Sequence, residues 1–172
     1  HFNRVWPESG TESWDHPGLM LGSPAQQVSR CLLVVDVTLE NLKQAKEMGA
    51  ELIISHHPLF LHGVHELSES TPKGTISAFA ARNGIAVYAA HTNADFVIGG
   101  VTESLAAALR LKISGHLDPI LRQGAIGKLE EPMTLLDFAR FVARVLPSVA
   151  QGIKVAGDSD RTISNVGLVA GA

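Results

Sequence analysis

Residues 31–37 read Cys-Leu-Leu-Val-Val-Asp-Val, residues 51–58 read Glu-Leu-Ile-Ile-Ser-His-His-Pro, and residues 85–95 read Ile-Ala-Val-Tyr-Ala-Ala-His-Thr-Asn-Ala-Asp. Each begins as an apolar run with little polar alternation, the pattern of a strand buried on both faces of a parallel sheet. Cys31, opening the first run, reads as a small buried hydrophobe. Between the first two runs, Thr38 offers an N-cap hydroxyl, Leu39, Leu42, Ala45, Lys46 and Met48 draw the stripe of an amphipathic helix, and Gly49 ends the segment. The result is a βαβ unit, for which a right-handed crossover is expected. The expected fold is α/β with a mostly parallel sheet.

Outward from this unit, a polar loop runs from His56 to about Lys73. A helix carrying Ile76, Phe79 and Ala80 then ends at Gly84. Val101 to Leu111 reads as a further helix and Ala125 to Leu129 as a strand. Thr134 caps an amphipathic helix with Leu135, Phe138, Phe141, Val142 and Val145 inward, stopped at Pro147. Ile153 to Ala156 and Val166 to Ala170 read as short strands. The apolar closing stretch, residues 166–172, has no polar cap, so further chain is expected beyond it.

Composition narrows the classes. The chain has 172 residues, 45% hydrophobic and 18% charged, enough for a folded core and unlike a disordered segment. Its apolar runs fall far short of the roughly 20 residues a membrane helix needs. Fourteen Lys and Arg against 17 Asp and Glu give a net charge of −3, with no basic run to grip a nucleic-acid backbone. One cysteine excludes an internal disulfide and a cysteine-based zinc cluster. These residues carry no secretory or lipidation pattern, so a cytoplasmic location is expected.

The chemistry-bearing residues are histidines, of which there are eight. His56 and His57 follow the second strand, where open α/β sheets place ligand sites. Neighbours on an ideal strand point to opposite faces, so both rings reach one cavity only if the chain turns there. Two histidines then reach two points a few ångströms apart, which suits a pair of metal ions. His91 and Asp95 follow the third strand at the same sheet edge. Four residues apart, they share a face if the segment makes one helical turn. Imidazole suits zinc, iron, manganese or nickel, and Asp adds a hard oxygen. His62, His65 and Glu66 lie in the loop leaving the same strand end. They are expected to line the mouth of the cavity without ligating metal; the alternative is a solvated loop. No Gly-rich dinucleotide fingerprint or nucleophile elbow is present, and in Gly124-Ala-Ile-Gly127-Lys128 a Leu stands where a phosphate loop needs Ser or Thr.

These stretches resemble the GTP cyclohydrolase 1 type 2 homologues, the Nif-three-like dinuclear metal-binding proteins. The likeness runs through Glu12-Ser-Trp-Asp15, Gly18-Leu19 and Gly22, Asp36-Val-Thr38, Ile54-Ser-His-His-Pro-Leu-Phe60, His91-Thr-Asn-Ala-Asp95, Gly99-Gly-Val101, Gly124 to Gly127 and Val166 to Gly171. It implies a three-layer α/β fold with helices on both faces of the sheet, assembled as a homohexameric ring. It implies two divalent metal ions per subunit, zinc, iron or manganese, held by His56, His57 and Asp95 with His91 adjacent. It implies a metal-dependent hydrolase acting on a nucleotide-like substrate; the competing class is a non-enzymatic metal-binding adaptor or regulator acting through protein partners. The family's remaining ligands come from a C-terminal His-x-x-x-Glu segment, and no His or Glu follows Glu131 here. Residues 1–172 are therefore expected to form a single Nif-three-like unit, incomplete at its C-terminus. The short connection from Ile113 to Gln123 leaves no room for the domain that some members insert.

Overall fold

The computed structural model describes residues 2–120 and 122–171. The chain is a mixed α/β protein with two compact units, one ending at Ala94 and the other beginning at Asp95.

The first unit is built on a four-stranded sheet of β1 (Gly18–Leu21), β2 (Cys31–Val34), β3 (Leu52–Ser55) and β4 (Ala86–Ala89), in the order β1-β4-β3-β2. β2, β3 and β4 are mutually parallel, and β1 adds an antiparallel edge. Helix α2 (Leu39–Met48) follows the expected punctuation. The Thr38 hydroxyl accepts from the Asn41 amide, and Gly49 closes the helix at φ 65°, which favours glycine. Helix α3 (Pro72–Arg82) starts in the same way, with Thr71 as cap and Pro72 in its first turn. Both helices pack on the face that presents Ile53 and Val87, burying Leu42, Ala45 and Ala80 against them. On the other face, Phe2 of the short helix α1 (Phe2–Val5) meets Tyr88 with ring centroids 4.4 Å apart.

β2 departs from expectation. It was expected to be buried on both faces, but it is the sheet's edge strand, and Leu33 is 70% exposed. Cys31 is exposed rather than buried. Central β3 and β4 take the enclosed positions, and an apolar run alone does not distinguish an edge strand from a central one.

The second unit holds α5 (Val101–Ala108) and α6 (Leu135–Val145) against a sheet of β5 (Leu111–Gly115), β6 (Ala125–Thr134) and β7 (Thr162–Leu168). This sheet is antiparallel throughout, so parallel pairing is confined to the first unit. Thr134 caps α6 as expected, accepting from the Asp137 amide. Phe141, Leu129, Leu111 and Leu168 form its core. The segment 153–156 is not a strand, and β5 occupies residues that follow a helix shorter than expected.

Candidate metal centre

The parallel ladder delivers the three histidines to one place. The His56 and His57 amides donate to the Val34 and Val35 carbonyls at 3.1 and 2.8 Å, carrying the pairing with β2 past the end of β3. The chain bends at these two residues. The Ala90 amide donates to the Ser55 carbonyl at 2.9 Å, and His91 follows directly. Ring centroids lie 5.1 Å apart for His56 and His57, 5.2 Å for His56 and His91, and 5.7 Å for His57 and His91. One ring nitrogen from each lies within 4.8 Å of the others, which suits a metal ion. No other such group occurs among the described residues.

Each ring has an acceptor oxygen near Nδ1, and His56 and His57 make an aligned hydrogen bond there. His56 Nδ1 donates to the Ala90 carbonyl at 3.1 Å, and a carbonyl only accepts, so this nitrogen carries the proton. His57 Nδ1 lies 2.7 Å from Asp36 Oδ1, and His91 Nδ1 lies 2.9 Å from Asp15 Oδ1. The His56 proton on Nδ1 leaves that ring's lone pair on Nε2. A carboxylate or carbonyl behind a histidine is the usual support of a metal-binding imidazole, so the residues fit a divalent ion.

The two carboxylates differ. Asp36 is exposed, whereas the Asp15 side chain is fully buried. Burial pushes the Asp15 carboxyl up, but the Thr92 hydroxyl at 2.6 Å, the His91 ring and the Thr92 amide at 3.1 Å outweigh it, and the group sits below the ordinary carboxylate range. Thr92 Oγ1 also accepts from the Glu12 amide at 3.1 Å. Buried Asn93 accepts from the His91 amide and donates to the Trp6 carbonyl, each at 3.0 Å. The Trp14 ring stands edge-on to His91 at 5.9 Å.

Of the residues singled out from sequence, His56, His57 and His91 come together. The expected single helical turn exists as α4 (Thr92–Asp95), and Asp95 closes it as a buried residue. Gly171, at φ +84°, lies beside Asp95, where an added Cβ would meet Oδ2 in ordinary contact at 3.5 Å. His62, His65 and Glu66 lie in an exposed loop and are not members of the histidine group. His116 is tied to the Gly124 carbonyl at 3.0 Å. Sequence reasoning gave no role to Asp15 or Asp36. The available signal was position, since Asp36 sits just past β2, at the sheet edge where β3 and β4 release their histidines.

A profile of the Duf34/NIF3 (NGG1p interacting factor 3) family matches residues 1–172. The chain belongs to the Duf34/NIF3 family. A relative from Streptomyces coelicolor, named GTP cyclohydrolase 1 type 2 homolog, is 40% identical over 98% of this chain and 61% of its own length. A Clostridium perfringens relative of the same name is 33% identical over 98% of this chain and 65% of its own. The NIF3 chain thus spans less than two thirds of those relatives. A Staphylococcus aureus hypothetical protein superposes with TM-score 0.86 at 27% identity, covering 99% of this chain and 69% of its own. A Bacillus cereus protein related to NIF3 gives 0.87 at 23% identity, covering 99% and 74%, a likeness of fold.

Proposed function

We propose that His56, His57 and His91 form the core of a divalent-metal centre, that Asp95 adds a carboxylate ligand, and that the intact protein is a metal-dependent hydrolase of a nucleotide-like substrate. The observation that carries this reading is that one ring nitrogen from each of the three histidines lies within 4.8 Å of the others, with Ala90 and Asp36 bonded to Nδ1 of His56 and His57 and Asp15 2.9 Å from Nδ1 of His91. A divalent ion there would supply Lewis-acid polarisation. The chain's own residues orient the ligands: Asp15 and Thr92 fix His91 rigidly, while exposed Asp36 holds His57 where it can adjust. Family membership supports two ions per subunit, zinc, iron or manganese. The relatives' name supports a purine-type nucleotide as the substrate class. A homohexameric ring and a cytoplasmic setting belong to the same proposal; no helix among the described residues is long and apolar enough to cross a membrane.

A second reading, a metal-binding adaptor working through protein partners, is favoured by one observation: Leu33 and Val35 on the outer edge of the sheet are 70% and 59% exposed. Elemental analysis of the intact protein, combined with a nucleotide-hydrolysis screen with and without chelator, separates the two. Chelator-sensitive turnover supports the hydrolase. Two bound ions without turnover of any nucleotide support the adaptor.

A further inference from the structure

Trp14 combines a fixed backbone with an open side chain. It is the third residue of a turn that the Asp15 amide closes on the Glu12 carbonyl at 3.0 Å. Both ends of the turn are tied to Thr92, the residue after His91. The Glu12 amide donates to Thr92 Oγ1 at 3.1 Å, and the Thr92 hydroxyl and amide donate to buried Asp15 at 2.6 and 3.1 Å. Between these anchors the tryptophan is left 55% exposed. The other tryptophan, Trp6, instead packs its ring near those of Phe2 and Tyr88, with centroids 5.8 and 6.4 Å away.

This open indole stands beside the histidine centre. Its ring lies 5.9 Å from that of His91, at 81° between the planes, and His91 lies 5.2 and 5.7 Å from His56 and His57. Trp14 is thus one ring removed from the group that would hold an ion, and it belongs to the same unit. An indole nitrogen only donates and does not ligate a metal ion, so what the side chain offers there is a flat apolar surface. With two side-chain torsions to fix, tryptophan presents that surface at a small entropic cost. A ligand held by its polar part at the ion brings an attached planar ring alongside the indole. Every nucleobase has a π-face, so stacking selects for a base against a ring-free analogue without choosing among bases.

Within the hydrolase reading above, on which this rests, we propose that Trp14 is the platform on which the base of the nucleotide-like substrate stacks. It sets the preference of the centre for phosphate esters that carry an aromatic base over those that do not.

Guanosine monophosphate and ribose phosphate are the probes, titrated calorimetrically into the intact protein loaded with Zn²⁺. A second sample carries fluorotryptophan, and the Trp14 fluorine resonance is the one absent from Trp14→Leu. The nucleotide is expected to bind about tenfold tighter than ribose phosphate and to shift that resonance. Trp14→Leu should bring the two ligands to within about twofold of each other, leaving the affinity for ribose phosphate and the Zn²⁺ content unchanged. Trp14→Phe, which keeps a ring, should restore most of the preference. A preference that persists in Trp14→Leu, or Zn²⁺-loaded protein that binds no nucleotide, overturns the proposal while leaving the metal centre standing. So does an equal shift of the resonance by ribose phosphate, which would make Trp14 a platform for the sugar. A Trp14 resonance insensitive to solvent deuterium in the ligand-free intact protein would mark the indole as covered by protein, and overturns it too. Intact protein that takes up no Zn²⁺ by elemental analysis fails the metal reading itself, and the proposal with it.

Discussion

Asp15 Oδ1 sits 2.9 Å from His91 Nδ1 while its other oxygen receives both the hydroxyl and the amide of Thr92. The His16 amide donates to Oδ1 as well, at 2.8 Å. Every neighbour of this buried carboxylate is therefore a donor. Asp15→Asn replaces one acceptor oxygen with an amino group, which must face the Thr92 amide or the His91 and His16 side. We expect metal affinity to fall about 10–100-fold, the usual effect of losing a carboxylate behind a ligating imidazole. Isothermal titration with Zn²⁺ on the intact protein measures this. An unchanged dissociation constant would remove Asp15 from the centre.

Asp36→Asn tests the other support. Asp36 and His57 are both largely solvent-accessible, so water can replace the lost acceptor. The expected loss of affinity is smaller than for Asp15→Asn. A larger loss in the same titration would show that exposure is a poor guide to which carboxylate matters here.

His56→Ala removes a proposed ligand outright, and Asp95→Ala removes the one assigned by family likeness. Each should abolish dinuclear occupancy of the intact protein. Elemental analysis finding two ions per chain in either variant would sink that ligand's assignment. The outcome for Asp95 carries particular weight, because its burial suits a structural role as well as ligation.

The histidine centre was largely legible because a parallel sheet makes strand ends neighbours. Once residues 31–37, 51–55 and 85–90 read as strands, His56, His57 and His91 had to emerge at one edge. His91 entered as a bystander and stands as a member of the histidine group, since the single turn of α4 was foreseen but the Asp15 support was not. Cys31 and Leu33 were misjudged because burial depends on strand order, which periodicity does not encode. β5 was missed because Leu111 to Gly115 is short, half polar and pressed against the end of a helix. Its pairing with β6 is a tertiary fact.

Glu51 gives an acid-stability prediction. Its carboxylate receives the Arg30 amide at 2.9 Å, and the Ser29 hydroxyl and amide at 2.8 and 3.1 Å, tying the start of β3 to the start of β2. The Arg30 amide first, then the Ser29 hydroxyl and amide, lower its pKa from 4.5 to about 2. A carboxyl with a depressed folded-state pKa contributes stability above its unfolded value and loses it as pH falls toward the folded value. The thermal midpoint should therefore drop between pH 4.5 and about 2. Glu51→Gln should show a shallower drop over that window and a lower midpoint at neutral pH. Parallel curves for the two proteins would mean that this carboxylate does not fasten the strands.

The loop after the histidine pair supplies the last prediction. His62, His65 and Glu66 leave the end of β3 a few residues beyond His57, and their side chains are exposed. Exposure is compatible with holding a substrate or relaying a proton, but these residues make no part of the histidine group. His65→Ala should therefore leave the metal content of the intact protein unchanged. If the loop contacts substrate, turnover should fall by about 10²-fold or more, the scale of a lost proton-transfer group, or KM should rise alone if the contact is only binding. His65→Gln, which retains hydrogen bonding but cannot titrate, separates the two: it restores a lost binding contact and fails to restore proton transfer. Metal content lost in His65→Ala would make the residue a ligand after all. Turnover and KM both unchanged would leave the loop as a solvated connection whose sequence serves only its own course from β3 to α3.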